Sequence, residues 1–130
     1  MRSLARETVY KFLFSQLFNP GDEEIFSVLC KNDKLNNEEI AFATNLLNAV
    51  QQNYNEIISE IEKFSIGYKI DRIFSTDKCA LLIGIAELNY FKDIPQIVVI
   101  DEAVKLARKY STEKSVNFVN GILAKYIKNS

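Results

Sequence analysis

The chain has 130 residues, enough for one domain with a real buried core. Hydrophobic residues make up 48% of it, which excludes a disordered chain, and only four Gly and two Pro interrupt it. Sixteen Lys and Arg against 17 Asp and Glu leave a net charge of −1; that excludes a broadly basic nucleic-acid binder but not a local basic patch, whose field is screened within about 8–10 Å.

The first predicted helix runs from about Ser3 to Phe18 and stops at Asn19-Pro20-Gly21. Val9, Phe12, Leu13 and Leu17 give it a core stripe at i, i+3, i+4 spacing, and Tyr10, Phe14 and Phe18 widen the apolar face. A short helix from about Asp22 to Lys31 turns Ile25, Phe26 and Leu29 inward. Asn36 caps a third helix, with Glu39 at the reciprocal capping-box position and Ile40, Ala43, Leu47 and Val50 as its inner face. Asn53 marks a bend before a fourth helix carrying Ile57, Ile58, Ile61 and Phe64.

Ser65 to Phe74 contains Gly67 and reads as a loop with about one helical turn. Ser75 suits the cap of a fifth helix, with Asp77 in its first turn. That helix, to about Tyr90, is the most apolar in the chain and is expected to be the hub of the core. Asp93, as cap, opens a sixth helix with Pro95 and Gln96; its inner face is Ile100, Ala103, Val104 and Ala107, and it ends near Tyr110. Ser115 is the expected cap of the last helix, which turns Val116, Val119, Leu123 and Tyr126 inward. Gly121 inside it costs about 1 kcal/mol against Ala, a cost that close approach of a neighbouring helix explains. The fold class is therefore all-α, a single-domain helical bundle of about seven helices.

Chemistry is sparse. There is no histidine, so Ser-His and Cys-His nucleophile pairs and the commonest zinc ligand are absent. No phosphate-cradling glycine loop occurs, and the carboxylates fall in helix first turns or on solvated faces. Cys30 and Cys79 form no CxxC and read as buried thiols. The expectation is a protein with no catalytic residues, no metal and no cofactor. No secretory signal or membrane-length apolar run is read in the chain, so the cytoplasm is the expected compartment.

Two features are left. Arg2 and Arg6 lie one turn apart at the start of the first helix, and Lys105, Arg108, Lys109 and Lys114 cluster around the end of the sixth; the basic residues in a last helical turn complement the helix dipole, and the alternative is that these groups bind RNA. The aromatic face with Phe14 and Phe18 is either covered by the second helix or docks a protein partner.

The run Ile100-Asp101-Glu102-Ala103-Val104-Lys105-Leu106-Ala107, then Ser115 and Phe118-Val119-Asn120-Gly121-Ile122-Leu123, closely resembles the NusB family. Ala5-Arg6-Glu7 and Ala86-Glu87-Leu88 before a Pro also match, so the resemblance covers nearly the whole chain. It implies two packed helical subdomains, one NusB-like RNA-binding domain over residues 1–130, and an antitermination and elongation factor. Such a factor pairs with NusE, a ribosomal small-subunit protein, and binds boxA-type single-stranded RNA. It acts on the RNA polymerase elongation complex during ribosomal RNA transcription and uses no cofactor.

Carried over residue by residue, the resemblance implies an RNA side with Arg2, Arg6, Lys114 and Phe118, and a partner side with Phe14 and Asp77 close to one another. Arg2, Arg6 and Lys114 would meet phosphate, and Phe118 either stacks a base or belongs to the core. The sequence departs from the family by a thinner arginine start, by Leu82 in place of an arginine, by Asn117 in place of a lysine, by Asp101 in place of an asparagine, and by Lys114 at an often acidic position. Two other readings stay open. One is a NusB-fold protein-interaction module with weakened or lost RNA binding. The other is the NusB-like domain that precedes some ribosomal RNA methyltransferases, against which the lack of a cofactor-binding segment up to Ser130 counts.

Overall fold

The structure, a computed structural model, describes residues 2–65 and 69–129; Gly67 of the expected loop lies outside the described residues. Among the described residues there are seven α-helices, one short 3-10 turn and no strand. The helices are α1 Arg2–Gln16, α2 Glu24–Asn32, α3 Asn37–Gln52, α4 Tyr54–Phe64, α5 Ser75–Tyr90, α6 Gln96–Tyr110 and α7 Glu113–Lys128; the 3-10 turn is Ile70–Arg72. The chain divides into two compact units, Met1–Asn48 and Ala49–Ser130.

In the first unit α1 buries Ala5, Val9, Tyr10, Phe12 and Leu13. It ends at Gln16, so Leu17 falls in the turn and is exposed rather than part of the core stripe. Gly21 then takes φ +87°, the left-handed geometry that glycine adopts without a Cβ clash. Thr8, fully buried, donates its one hydroxyl proton to Asp33 Oδ2 at 2.6 Å, with the Leu4 carbonyl 3.0 Å away as the alternative acceptor, and Lys11 Nζ reaches Asp33 Oδ1 at 2.8 Å. Asp33 is the C-terminal cap of α2, so these bonds lock α1 to the end of α2, while Phe12 meets Phe26 edge-on at 5.4 Å.

The capping box at α3 forms as expected. Asn36 N–H donates to Glu39 Oε1 at 2.9 Å, and Glu39 N–H donates to Asn36 Oδ1 at 2.8 Å. The first of these bonds holds the Glu39 carboxyl below its ordinary range. The buried face of α3 is Phe42, Ala43, Leu46, Leu47 and Val50; Ile40, expected inside, is exposed.

In the second unit α5 is the hub, packed by α4, α6 and α7, with every residue from Cys79 to Leu88 buried. Three expected caps shift. Phe74, not Ser75, precedes α5, arriving extended and making no side-chain cap bond. Pro95, not Asp93, precedes α6, also without a side-chain cap bond. Thr112, not Ser115, caps α7: its hydroxyl accepts from Ser115 N–H at 3.2 Å, leaving the Ser115 hydroxyl to pair with that of Ser111 at 2.7 Å. The inner face of α6 is Val99, Ala103, Leu106 and Ala107, so Ile100 and Val104 are only half-buried. Val116, Val119, Leu123 and Tyr126 are buried on α7 as expected. The close helix approach occurs at Gly84 and not at Gly121. A Cβ on Gly84 would stand 3.0 Å from Leu123 Cδ1, whereas one on Gly121 would meet nothing within 4 Å.

Both cysteines are free and buried. Burial pushes the Cys79 thiol up to about 12, and burial, with Asp33 second, raises that of Cys30. Burial also raises the Tyr126 hydroxyl. The fold thus holds neutral groups that the unfolded chain ionises at lower pH. Their contribution is complete below the unfolded value and is lost as pH rises toward the folded one. The melting temperature should hold steady from about neutral pH to about pH 9 and fall between there and about pH 12. Cys79→Ala should make the fall shallower; an equally steep fall in that variant would remove Cys79 as its cause.

Candidate nucleic-acid and partner interface

The residues singled out in the sequence divide between the two units. Arg2, Arg6 and Phe14 lie on α1, and Asp77, Lys114 and Phe118 lie on α5 and α7.

On α1, the one-turn spacing of Arg2 and Arg6 sets both guanidiniums over the Phe42 ring of α3, at 4.6 and 5.1 Å from its centroid. The two differ in access. Arg2 is exposed, whereas Arg6 is only 3% exposed. Arg6, expected as a phosphate contact, is thus buried with its guanidinium over the Phe42 ring. Phe14 is half-buried and meets Phe18 at 5.3 Å between ring centroids, with Phe18 itself well exposed. The second helix does not cover this aromatic pair fully.

In the second unit, a cleft of about 300 Å³ is lined by Arg72, Ile73, Phe74, Asp77, Lys114, Ser115 and Phe118. Asp77, Lys114 and Phe118 thus share one cleft, although the sequence assigned Asp77 to a different face from the other two. Arg72 and Phe74 were missed. They follow a loop with no periodicity to mark them, and Phe74 is 67% exposed. A neighbouring cleft of about 260 Å³ runs along Phe64, Ser65, Asn117, Phe118, Gly121, Ile122 and Lys125. Phe118 lines both clefts and is half-buried, so one part of the ring packs and another stays accessible.

The electrostatics of the first cleft favour an anion at its mouth. The N-terminus of α5 carries no side-chain cap, and α7 starts beside the same cleft. Helix N-termini attract negative charge. Lys114 in the first turn of α7 opposes that helix's own dipole, a placement that costs stability and becomes favourable when an anion sits between them. Behind the mouth, Asp77 is only 4% exposed, and its Oδ1 has no hydrogen-bond partner.

The other cations expected near the end of α6 are more committed. Lys105 pairs with Glu102 at 3.5 Å, and Lys109 lies over the Tyr110 ring at 5.6 Å; Arg108 is exposed. Among the described residues no group of three or more His, Cys, Asp or Glu is placed to hold a metal ion, and no helix is long and apolar enough to cross a membrane.

A model of the NusB family matches residues 1–128. The transcription antitermination protein NusB of Natranaerobius thermophilus is 37% identical over 128 residues, covering 94% of this chain and 91% of the relative. That of Clostridium novyi is 35% identical over 133 residues, covering 98% of each. In a solved structure of the antitermination factors NusB and NusE in complex with dsRNA, one chain is 30% identical and superposes with a TM-score of 0.90, covering 99% of this chain and 97% of that one.

Proposed function

This chain belongs to the NusB family, and we propose that it serves as a transcription antitermination factor, one NusB-like domain over residues 1–130. It binds boxA-type single-stranded RNA together with NusE during ribosomal RNA transcription in the cytoplasm. It works by binding and not by catalysis. The observation that carries the reading is the cleft that joins Lys114 and Phe118 at the first turn of α7. In it a cation and an accessible aromatic ring stand together beside helix N-termini, the combination that holds a phosphate and stacks an unpaired base. Arg2 adds a second exposed cation, and Phe14, beside exposed Phe18, is the anchor for NusE.

The burial of Arg6 favours a second reading, a protein-interaction module with weakened RNA binding, because it leaves one exposed arginine where the sequence promised two. A titration separates the two readings. Single-stranded boxA RNA, with a duplex control, is added to the protein with and without NusE at several salt concentrations. The protein alone should bind weakly and with a shallow salt dependence, each phosphate contact adding about 0.7 to the slope. NusE should tighten binding at least about tenfold. Phe14→Ala should weaken the NusE complex about tenfold with the fold intact, as truncated aromatic anchors do. Undetectable RNA binding with NusE in excess leaves only the protein-interaction reading. If Phe14→Ala unfolds the chain while the surviving complex stays equally tight, Phe14 is a core residue.

A further inference from the structure

The groove between α2 and α3 in the first unit shares no residue with the surfaces assigned above to RNA and NusE. Its volume is about 470 Å³, larger than either cleft of the second unit. Phe26 and Cys30, one turn apart on α2, line one side, Ile40 on α3 lines the other, and Leu35 belongs to the turn that joins the helices. Ile40 is 37% exposed, although the Asn36–Glu39 box fixes the start of its helix. An aliphatic side chain left open beside other apolar walls is surface that a partner would gain by covering.

Two cations belong to the same groove. Lys31 and Lys34 both line it, both are exposed, and among the described residues neither ammonium pairs with another side chain. The carboxylates next to them along the chain are committed, Asp33 to Thr8 and Lys11, and Glu39 to the start of α3. Lys34 is moreover held in left-handed geometry, at φ +56°, the one non-glycine so placed among the described residues. The turn is a Schellman closure: Leu35 N–H donates to the Cys30 carbonyl and Lys34 N–H to the Lys31 carbonyl, each at 3.1 Å. Glycine usually fills that position, because a Cβ there costs stability. Lysine is the worse residue for the fold, and what it adds is a positive charge beside an apolar groove. A cation kept at a strained position points to an acidic partner.

We propose that the groove between α2 and α3 docks an acidic amphipathic helix of a protein partner, its apolar stripe on Phe26, Cys30 and Ile40 and its carboxylates on Lys31 and Lys34. The walls decide the class of occupant. Phe26, the one ring among them, is already committed edge-on to Phe12, so a nucleic acid would find charge without a platform for its bases. An amphipathic helix brings apolar side chains at i, i+3, i+4 and i+7 with acidic ones beside them, which matches apolar walls with cations beside them. The space between two helices also admits the side-chain ridge of a third. The proposal stands apart from the RNA reading and does not depend on it.

The test uses a designed four-turn peptide with leucines at helical spacing, glutamates flanking them and one tryptophan in the apolar face. This chain has no tryptophan, so the peptide's emission reports only its own surroundings. Titrating in the full chain should shift that emission to the blue. A peptide with lysine for every glutamate should bind at least about tenfold more weakly at low salt, and the gap should narrow as salt rises. Ile40→Glu, a change at an exposed position, should weaken the acidic peptide about tenfold with the fold intact. Lys34→Gly should raise the melting temperature by relieving the left-handed Cβ, yet weaken the acidic peptide about threefold. Neither single-stranded RNA nor NusE in excess should displace the peptide. Equal binding of the two peptides, or binding of neither, overturns the proposal, as does an Ile40→Glu variant that binds as tightly as the wild type. Unchanged affinity in Lys34→Gly makes the lysine a helix-end residue and overturns the acidic partner. Displacement by RNA makes the groove a nucleic-acid surface, displacement by NusE makes it part of the NusE face, and either overturns the proposal.

Discussion

Gly84→Val is expected to destabilise the protein by about 3 kcal/mol, at the upper end of what overpacking a core costs. The reason lies in the crossing of α5 with α6 and α7. A first carbon at Gly84 would already stand 3.0 and 3.1 Å from the two methyl carbons of Leu123 and 3.4 Å from Ala103 Cβ. Leu123 is itself fully buried, so it has little room to give way. Valine adds two further methyl groups to that contact. Gly84→Ala is a finer balance, because the helix gains about 1 kcal/mol of propensity over glycine while the first carbon still crowds Leu123. Leu123→Ala alone should cost about 2–5 kcal/mol through lost burial and the cavity left behind. The combination Gly84→Val with Leu123→Ala should cost about 1 kcal/mol or more less than the two added together, since each relieves the other's fault. Urea unfolding of the four proteins measures this coupling. Strict additivity would mean that the helices move apart to admit the valine and that the contact does not hold the packing.

The residues just discussed also show where sequence reading reached and where it stopped. Period and hydrophobicity located every helix, because a helix buries its face at a spacing fixed by its own geometry. Val9, Phe12 and Leu13 are read from that rule without knowledge of what they touch, and the Asn36–Glu39 box is equally local, its partners three residues apart. Errors arise where the outcome depends on something outside the segment. Ser115 and Thr112 are both good caps, and only the path of the incoming chain selects Thr112. Both glycines in helix interiors invite the same explanation, but the helix that α4, α6 and α7 all pack against is α5, which puts the close contact at Gly84.

The site was legible only in pieces. Lys114 and Phe118 share a helix, and their spacing of four predicts a shared face. Their union with Asp77, Arg72 and Phe74 is tertiary and leaves no trace in any local pattern. Arg6 carries the opposite lesson. A guanidinium at a helix start reads as a surface cation, but a planar cation that stacks on Phe42 can be buried, which charge counting does not foresee.

The largest effect on RNA binding is expected from Lys114→Glu. The substitution removes one cation and places an anion at the mouth of a cleft already holding the Asp77 carboxylate. Affinity for single-stranded RNA should fall well over tenfold at low salt, and the salt slope should drop by at least the 0.7 or so of one lost phosphate contact. Raising the salt should narrow the gap between variant and wild type, because screening weakens repulsion and attraction alike. Phe118→Ala acts by a different force. Losing a stacked base costs about 1–3 kcal/mol, roughly tenfold to a hundredfold, and leaves the salt slope unchanged. Arg6→Ala supplies the contrast, since its guanidinium is buried over Phe42: it should lower the melting temperature and leave the salt slope as it was. Filter binding at several salt concentrations, paired with thermal melts, therefore sorts the three residues by mechanism. An unchanged slope in Lys114→Glu would mean that no phosphate reaches this cleft, and the RNA-binding surface would have to be sought away from α7.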